Sequence, residues 1–305
     1  MSMEDAAQLW AGNCLGDSSN MAANTKRAYR GAIANHLFNT ELAALTLEQA
    51  NKPSILQSHL QDVANNYGVS AAKQLKAVLS SIFQAAARDD ALPRNPIKLT
   101  PCPKNGLKNK SIREPGRAFS TGELILLFEI VDHDSELCAN DIPALLRFYL
   151  ITGARCTEVL NLKWDDVDLS RNTIHIRGTK SARADRVIPI LPGLLGMLLR
   201  RNRSTGTTYV FPRHRAGSTM PDGARRDDRE VRMLAARAFR QAGVPWATIH
   251  TFRTTCATML VQQGKPINVA AAYLGDSVPT FLASYVSDKL SPATMAAELA
   301  ATTFL

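Results

Sequence analysis

The sequence predicts a mainly α-helical chain of two lobes, the second carrying one small antiparallel β-sheet. Three observations lead there. Apolar residues recur at helical spacing through most of the chain. Residues 173–176 and 186–190 form short β-type runs, joined by a polar turn. A proline-punctuated basic stretch separates the two regions. At 305 residues the chain is long for one small core and suits two domains.

Residues 1–20 are weakly patterned. Trp10 suits the anchor of a short helix, and Gly16 to Asn20 read as loop. Residues 21–97 form the predicted helical domain. Its three apolar stripes are Tyr29, Ile33 and Leu37; then Leu56, Leu60 and Val63; then Leu75, Val78, Leu79 and Ile82. Each stripe reads as a core face. Lys26, Arg27 and Arg30 cluster on the first helix and suit either phosphate contact or a solvated face. Leu92-Pro93-Arg94-Asn95-Pro96 ends the helical pattern.

Residues 98–117 combine Pro101, Pro103 and Pro115 with Lys98, Lys104, Lys108, Lys110, Arg113 and Arg117. Proline with one sign of charge makes a linker. It suits a plain tether or a strand lying along a nucleic-acid backbone.

Residues 118–290 form the second predicted domain. Ser120 to Glu123 has the spacing of a helix start. Residues 145–151 read as a buried helix ending at Thr152-Gly153, and 155–163 as another, with Val159, Leu160 and Leu162 on its apolar face. The two β-type runs flank a turn at 178–185. Residues 191–201 return to helix, and Val210-Phe211-Pro212 reads as a buried strand end before a basic loop, 213–226. Helix resumes afterwards, interrupted by Gly264, Pro266 and Gly275. Residues 291–305, with Met295, Leu299, Phe304 and Leu305, suit a short amphipathic tail helix.

Composition narrows the function without naming it. Apolar residues at 45% and charged residues at 21% are ordinary for a soluble globular chain. The excess of 36 basic over 27 acidic side chains, +9 overall, suits a polyanionic partner but does not require one. Five scattered cysteines without a Cys-x-x-Cys pair read as reduced thiols of a cytosolic protein, not as a metal site. The N-terminus lacks the pattern of a signal peptide, no apolar run reaches membrane-spanning length, and no repeat period stands out.

The chemistry lies in side chains spread along the second domain. His250 and Arg253, three apart at a predicted helix start, share one face. Free backbone N–H groups at such a terminus add anion affinity. Arg155 follows Thr152-Gly153-Ala154, with Glu158 three residues on, and a guanidinium donates two parallel hydrogen bonds to phosphate oxygens. Lys180 and Arg183 sit in the predicted hairpin turn, where a flexible tip can carry an ammonium into a DNA groove. Tyr285 lies nine residues after Asp276. Singly, each has an ordinary reading: a surface pair, a solvated tip, a packing tyrosine beside Phe281 and Leu282.

Together and in this order, they resemble the catalytic domain of the tyrosine recombinases, the phage integrase family. The flanks Thr152-Gly153-Ala154-Arg155-Cys156-Thr157-Glu158-Val159-Leu160 and Tyr273-Leu274-Gly275-Asp276-Ser277 carry much of the likeness, which spans about 118–290. More loosely, residues 25–96 are similar to the family's helical core-binding domain.

The resemblance implies a site-specific recombinase that breaks and rejoins double-stranded DNA without metal or nucleotide cofactor. Tyr285 would attack the phosphate and form a 3′-phosphotyrosyl intermediate. Arg155 and Arg253 would clamp the non-bridging oxygens. Lys180 would protonate the departing 5′-oxygen, His250 would assist proton transfer, and Glu158 matches a supporting acidic position. A tetramer on DNA, an accessory DNA-bending protein and a mobile-element origin are implied in the same way. Asp276 departs from the pattern, which has histidine or tryptophan there. Its charge opposes a phosphate, although it can accept hydrogen bonds from Arg155, Arg253 or Tyr285, and a slower enzyme is expected. A DNA-binding regulator weakened by Asp276 and a type IB topoisomerase remain the alternatives.

Overall fold

The computed structural model describes residues 1–107, 116–178, 182–214 and 221–286. The chain divides into two compact units, Met1–Lys110 and Ser111–Leu305. Helices dominate both, and the described strands lie in the second, as the fold class predicts.

The first unit contains α1 (Met3–Leu15), α2 (Ala23–His36), α3 (Glu41–Ala44), α4 (Leu47–Ala50), α5 (Pro53–Tyr67) and α6 (Val69–Arg88). The three stripes meet in one core in which Ile33, Leu37, Leu56, Leu60, Leu75, Val78, Leu79 and Ile82 are almost fully buried. Helix α1 exceeds the short anchor expected from Trp10. Ser2 and Asp5 cap it reciprocally, each side chain accepting from the other's backbone N–H at 3.0 Å. Trp10 then packs against Tyr29 of α2, ring centres 6.1 Å apart.

The start of the expected linker is docked rather than free. Ile97 and Pro103 are buried, Lys76 donates to the Thr100 carbonyl at 2.6 Å, and the Leu107 N–H donates to the Ala64 carbonyl at 2.8 Å. Two apolar anchors hold a stretch whose composition otherwise reads as tether. Lys108 and Lys110 lie outside the described residues, as does the tail helix expected over 291–305.

The second unit begins with α7 (Thr121–His133), α8 (Ser135–Ala139), α9 (Ile142–Thr152) and α10 (Cys156–Leu160). Helix α10 stops three residues short of expectation, because Lys163 bridges Tyr209 and the Trp164 N–H donates to Thr208. Strands β1 (Val167–Asp168), β2 (Thr173–Ile176) and β3 (Arg186–Pro189) make an antiparallel sheet, with Ile174 opposite Ile188 and Ile176 opposite Arg186. Ile174, Ile176 and Ile188 face the core. After α11 (Pro192–Thr205), β4 (Pro212–His214) and β5 (Pro221–Arg225) form a second, separate antiparallel pair. Among the described residues the single sheet expected from sequence is therefore two: β4 and β5 each open with proline and lack alternating apolar residues, so they carry no strand pattern to read.

Helices α12 (Asp228–Gln241), α13 (Ile249–Gln262), α14 (Ile267–Leu274) and α15 (Val278–Phe281) follow, with a π-helical turn at Leu282–Val286. Helix α13 packs along α9 and is buried from Thr251 to Thr258. Phe119, Phe239, Trp246 and Phe252 cluster at its start. Among the described residues, no helix is long and apolar enough to cross a membrane.

Candidate active site

The site is assembled around two turns that only glycine suits. Gly153 caps α9 with φ +58°, and a Cβ there would strike Leu274 and crowd the Cys256 sulfur at 3.1 Å. Leaving this turn, the chain presents Arg155 as the N-cap of α10. Gly275 caps α14 with φ +73° and delivers Asp276 to the same place.

Arg155 Nη1 donates to Glu158 Oε1 at 2.8 Å, and its backbone N–H donates to Oε2 at 3.0 Å. Its Nη2 donates to Asp276 Oδ1 at 2.7 Å. The other carboxylate oxygen of Asp276 accepts from Arg253 Nη2 at 2.6 Å. Arg253, on the second turn of α13, is 1% exposed. It also donates from Nη1 to the Gly153 carbonyl at 2.8 Å and from Nε to the Tyr285 hydroxyl at 3.0 Å. Tyr285 sits in the π-helical turn, half-buried, edge-on to Phe281.

Five residues singled out in the sequence, Arg155, Glu158, Arg253, Asp276 and Tyr285, thus share one hydrogen-bonded network. Asp276 accepts from both arginines, as its chemistry allowed, while the Tyr285 hydroxyl pairs with Arg253. His250, one turn before Arg253, keeps an exposed residue surface but feels both guanidiniums. Arg183 is exposed and lines a cleft of about 500 Å³ with Asp276, Arg186 and Ser277. Lys180 lies outside the described residues.

The basic residues of the first unit are placed differently from one another. Lys26 donates to the carbonyls of Gly16 and Ser19 at 2.7 and 2.8 Å, and Arg30 donates to the Leu15 carbonyl. Both therefore brace the α1–α2 loop, while Arg27 is exposed.

One member of the network escaped the sequence reading. Arg186, read only as the start of a strand, is buried against Glu158. Its signal was a basic residue on an otherwise apolar β-run, which is rarely buried without a partner.

Electrostatics decide what the network can do. Three guanidiniums (Arg155, Arg186 and Arg253) face two carboxylates (Glu158 and Asp276), leaving one positive charge for an incoming anion. Burial opposes the charge of Arg253, but Tyr285 and Asp276 more than offset this and raise its pKa. Burial likewise raises the Tyr285 pKa above 10, with Arg253 pulling it back only in part, so the phenol is protonated at neutral pH. His250 is shifted the other way: although part of the residue surface stays exposed, loss of water around the ring first, then the charges of Arg253 and Arg155, hold it below 6.5. The site pairs a protonated hydroxyl with a neutral imidazole and clustered guanidiniums, the elements of nucleophilic attack on a phosphate.

The sequence that builds this arrangement is similar to that of known proteins. The family description "Phage integrase family" matches residues 127–289, a span containing every residue of the network. The chain belongs to the phage integrase family. Among its relatives, the integrase of Salmonella phage P22 is 29% identical over 199 residues, 63% of this chain and 47% of that protein. A XerC-like tyrosine recombinase of Caldanaerobacter subterraneus subsp. tengcongensis is 23% identical over 279 residues, covering 82% and 70%. The match to the P22 integrase spans about half of that protein's length. In fold, this phage integrase family member resembles a lambda integrase crystallised as a tetramer on a Holliday junction, with a TM-score of 0.72 at 16% identity over 92% of this chain and 77% of that one.

Proposed function

We propose that this chain is a site-specific recombinase that cuts and rejoins double-stranded DNA through Tyr285. The observation that carries the reading is the Arg253–Tyr285 hydrogen bond at 3.0 Å, with Arg155 joined to Arg253 through Asp276. A phosphodiester drawn to the two guanidiniums would lie beside the phenolic oxygen. Attack there forms a P–O bond to Tyr285 and breaks the P–O bond to the 5′-oxygen, leaving a 3′-phosphotyrosine and a 5′-hydroxyl. Neutral His250 takes part in moving the tyrosine proton, and Lys180 is assigned to protonating the leaving oxygen. Arg155 and Arg253 stabilise the negative charge on the non-bridging phosphate oxygens in the transition state. The bond energy stays in the phosphotyrosine, so rejoining is the reverse attack and needs no nucleotide.

The names of the relatives, integrases and tyrosine recombinases, support this reading over relaxation by a type IB topoisomerase. By analogy with the lambda tetramer, four copies acting on paired sites are proposed, and a mobile genetic element is the proposed source. The test is recombination in EDTA between two duplexes taken from the flanks of the encoding gene. Site-dependent joint products support the proposal. Sequence-indifferent relaxation of supercoils, without exchange, contradicts it.

A further inference from the structure

Arg186 opens β3 with a side chain only 6% exposed. Its Nε donates to the Tyr273 carbonyl at 2.7 Å and its Nη1 to the Ala184 carbonyl at 2.9 Å. Both terminal nitrogens reach Glu158 Oε2 at 3.3 Å. One guanidinium therefore ties three pieces together: the backbone leading into β3, the last turn of α14, and the carboxylate behind Arg155. The junction is tight. A Cβ on Gly275 would come within 2.9 Å of Arg186 Nη1 and 3.0 Å of the Arg183 carbonyl.

We propose that Arg186 is a positioning residue of the DNA-cleaving site, fixing Arg155 through Glu158 and fixing the turn that carries Asp276. The proposal rests on reading Arg155 and Arg253 as a phosphate clamp. The division of labour on Glu158 supports it. Oε1 takes the Arg155 side chain, while Oε2 takes the Arg155 backbone N–H and Arg186. Without Arg186, one face of a buried carboxylate loses its cation and the carboxylate is free to turn. Arg155, whose side chain is 28% exposed, turns with it. Misplacement of a catalytic group by about 1 Å costs on the order of 100-fold in rate. Lysine would restore the charge but not the planar fork that reaches three acceptors at once.

The test is a double-mutant cycle on Arg186→Met and Glu158→Gln, with Arg186→Lys alongside and folding checked by circular dichroism. Single-turnover cleavage of a nicked duplex and noncovalent DNA affinity are both measured. Arg186→Met is expected to slow cleavage about 10- to 100-fold with affinity little changed. Arg186→Lys should fall between it and wild type, and the double variant should be no slower than the worse single one. Unchanged cleavage by folded Arg186→Met, or multiplying effects of the two substitutions, overturns the proposal. If Arg186→Met does not fold, the same cycle is read with Arg186→Lys. A wild-type protein that makes no adduct indicts the recombinase reading instead. The clamp is then read without chemistry: sulfate should raise the melting temperature of wild type more than that of Arg186→Lys, and equal responses refute the positioning role.

Discussion

The Nε–H of Arg253 donates to the hydroxyl oxygen of Tyr285 across 3.0 Å. The buried member of the arginine pair is thereby already in contact with the proposed attacking atom. Since that oxygen accepts from Arg253, its own proton is left for another acceptor. A phenol keeps its proton at neutral pH, and burial raises the pKa of this one further. The resting site holds a positioned, protonated hydroxyl.

Tyr285→Phe removes the attacking atom and one acceptor of a buried cation. Covalent DNA adduct should vanish while noncovalent affinity stays within about threefold, because the clamp nitrogens remain. Loss of the acceptor should cost about 1–3 kcal/mol in a denaturant titration. Adduct persisting in this variant would remove Tyr285 from the chemistry.

Asp276 holds both arginines at 2.6–2.7 Å with a side chain 5% exposed. It stabilises the folded site and competes with phosphate for the same donors. Asp276→Ala should destabilise by about 3–5 kcal/mol, the usual cost of breaking a buried pair. Asp276→Asn, which keeps an acceptor but no charge, should gain more melting temperature from added sulfate than wild type does. Asp276→His should cleave at least as fast as wild type. Slower cleavage by that variant would mean that the carboxylate assists the reaction.

The opposed shifts of His250 and Tyr285 set a pH dependence. With its folded pKa held below 6.5, His250 is neutral at pH 7 and can accept a proton. The second-order rate of adduct formation, which reports the free protein, should fall as pH drops through a midpoint below 6.5. Stability contributed by neutral His250 is present above 6.5 and lost as pH falls through the folded value. Tyr285 acts at the other end: its raised pKa gives stability below 10 that is lost as pH rises through the folded value. His250→Gln should flatten the acid limb of the rate profile. A midpoint above 6.5 in the free protein would contradict the assignment.

Gly153→Ala tests the turn beneath the clamp. The substitution forces a side chain onto a backbone at φ +58° and into Leu274. It should destabilise by more than about 1 kcal/mol, read as a lower denaturation midpoint. Adduct formation should fall as well, since the Gly153 carbonyl anchors Arg253 Nη1 at 2.8 Å. Wild-type activity and stability in this variant would show that the site tolerates movement there.

Much of the site was legible because its residues are polar types at fixed spacings next to turn signals. Gly153 before Arg155, and Gly275 before Asp276, announce where a helix ends and a side chain emerges. The stripes of the first unit were equally readable, since helical periodicity survives without knowledge of the partner helix. Arg186 was not, because a basic residue opening an apolar β-run hints at a partner without naming it; Glu158 is identified as that partner only in three dimensions. Nor were β4 and β5, which pair Pro212 with Arg225 and His214 with Pro221 and so show no apolar alternation. Lys26 and Arg30 suited phosphate contact or a solvated face because charge is visible in sequence, whereas the Gly16, Ser19 and Leu15 carbonyls that accept from them are not.

The most direct measurement is to trap the protein on a nicked duplex from the flanks of its gene, digest the denatured adduct and find the modified residue by mass spectrometry. The account predicts a nucleotide on the phenolic oxygen of Tyr285, joined through its 3′-phosphate. Attachment at another residue, or cleavage that leaves no covalent link, would contradict it.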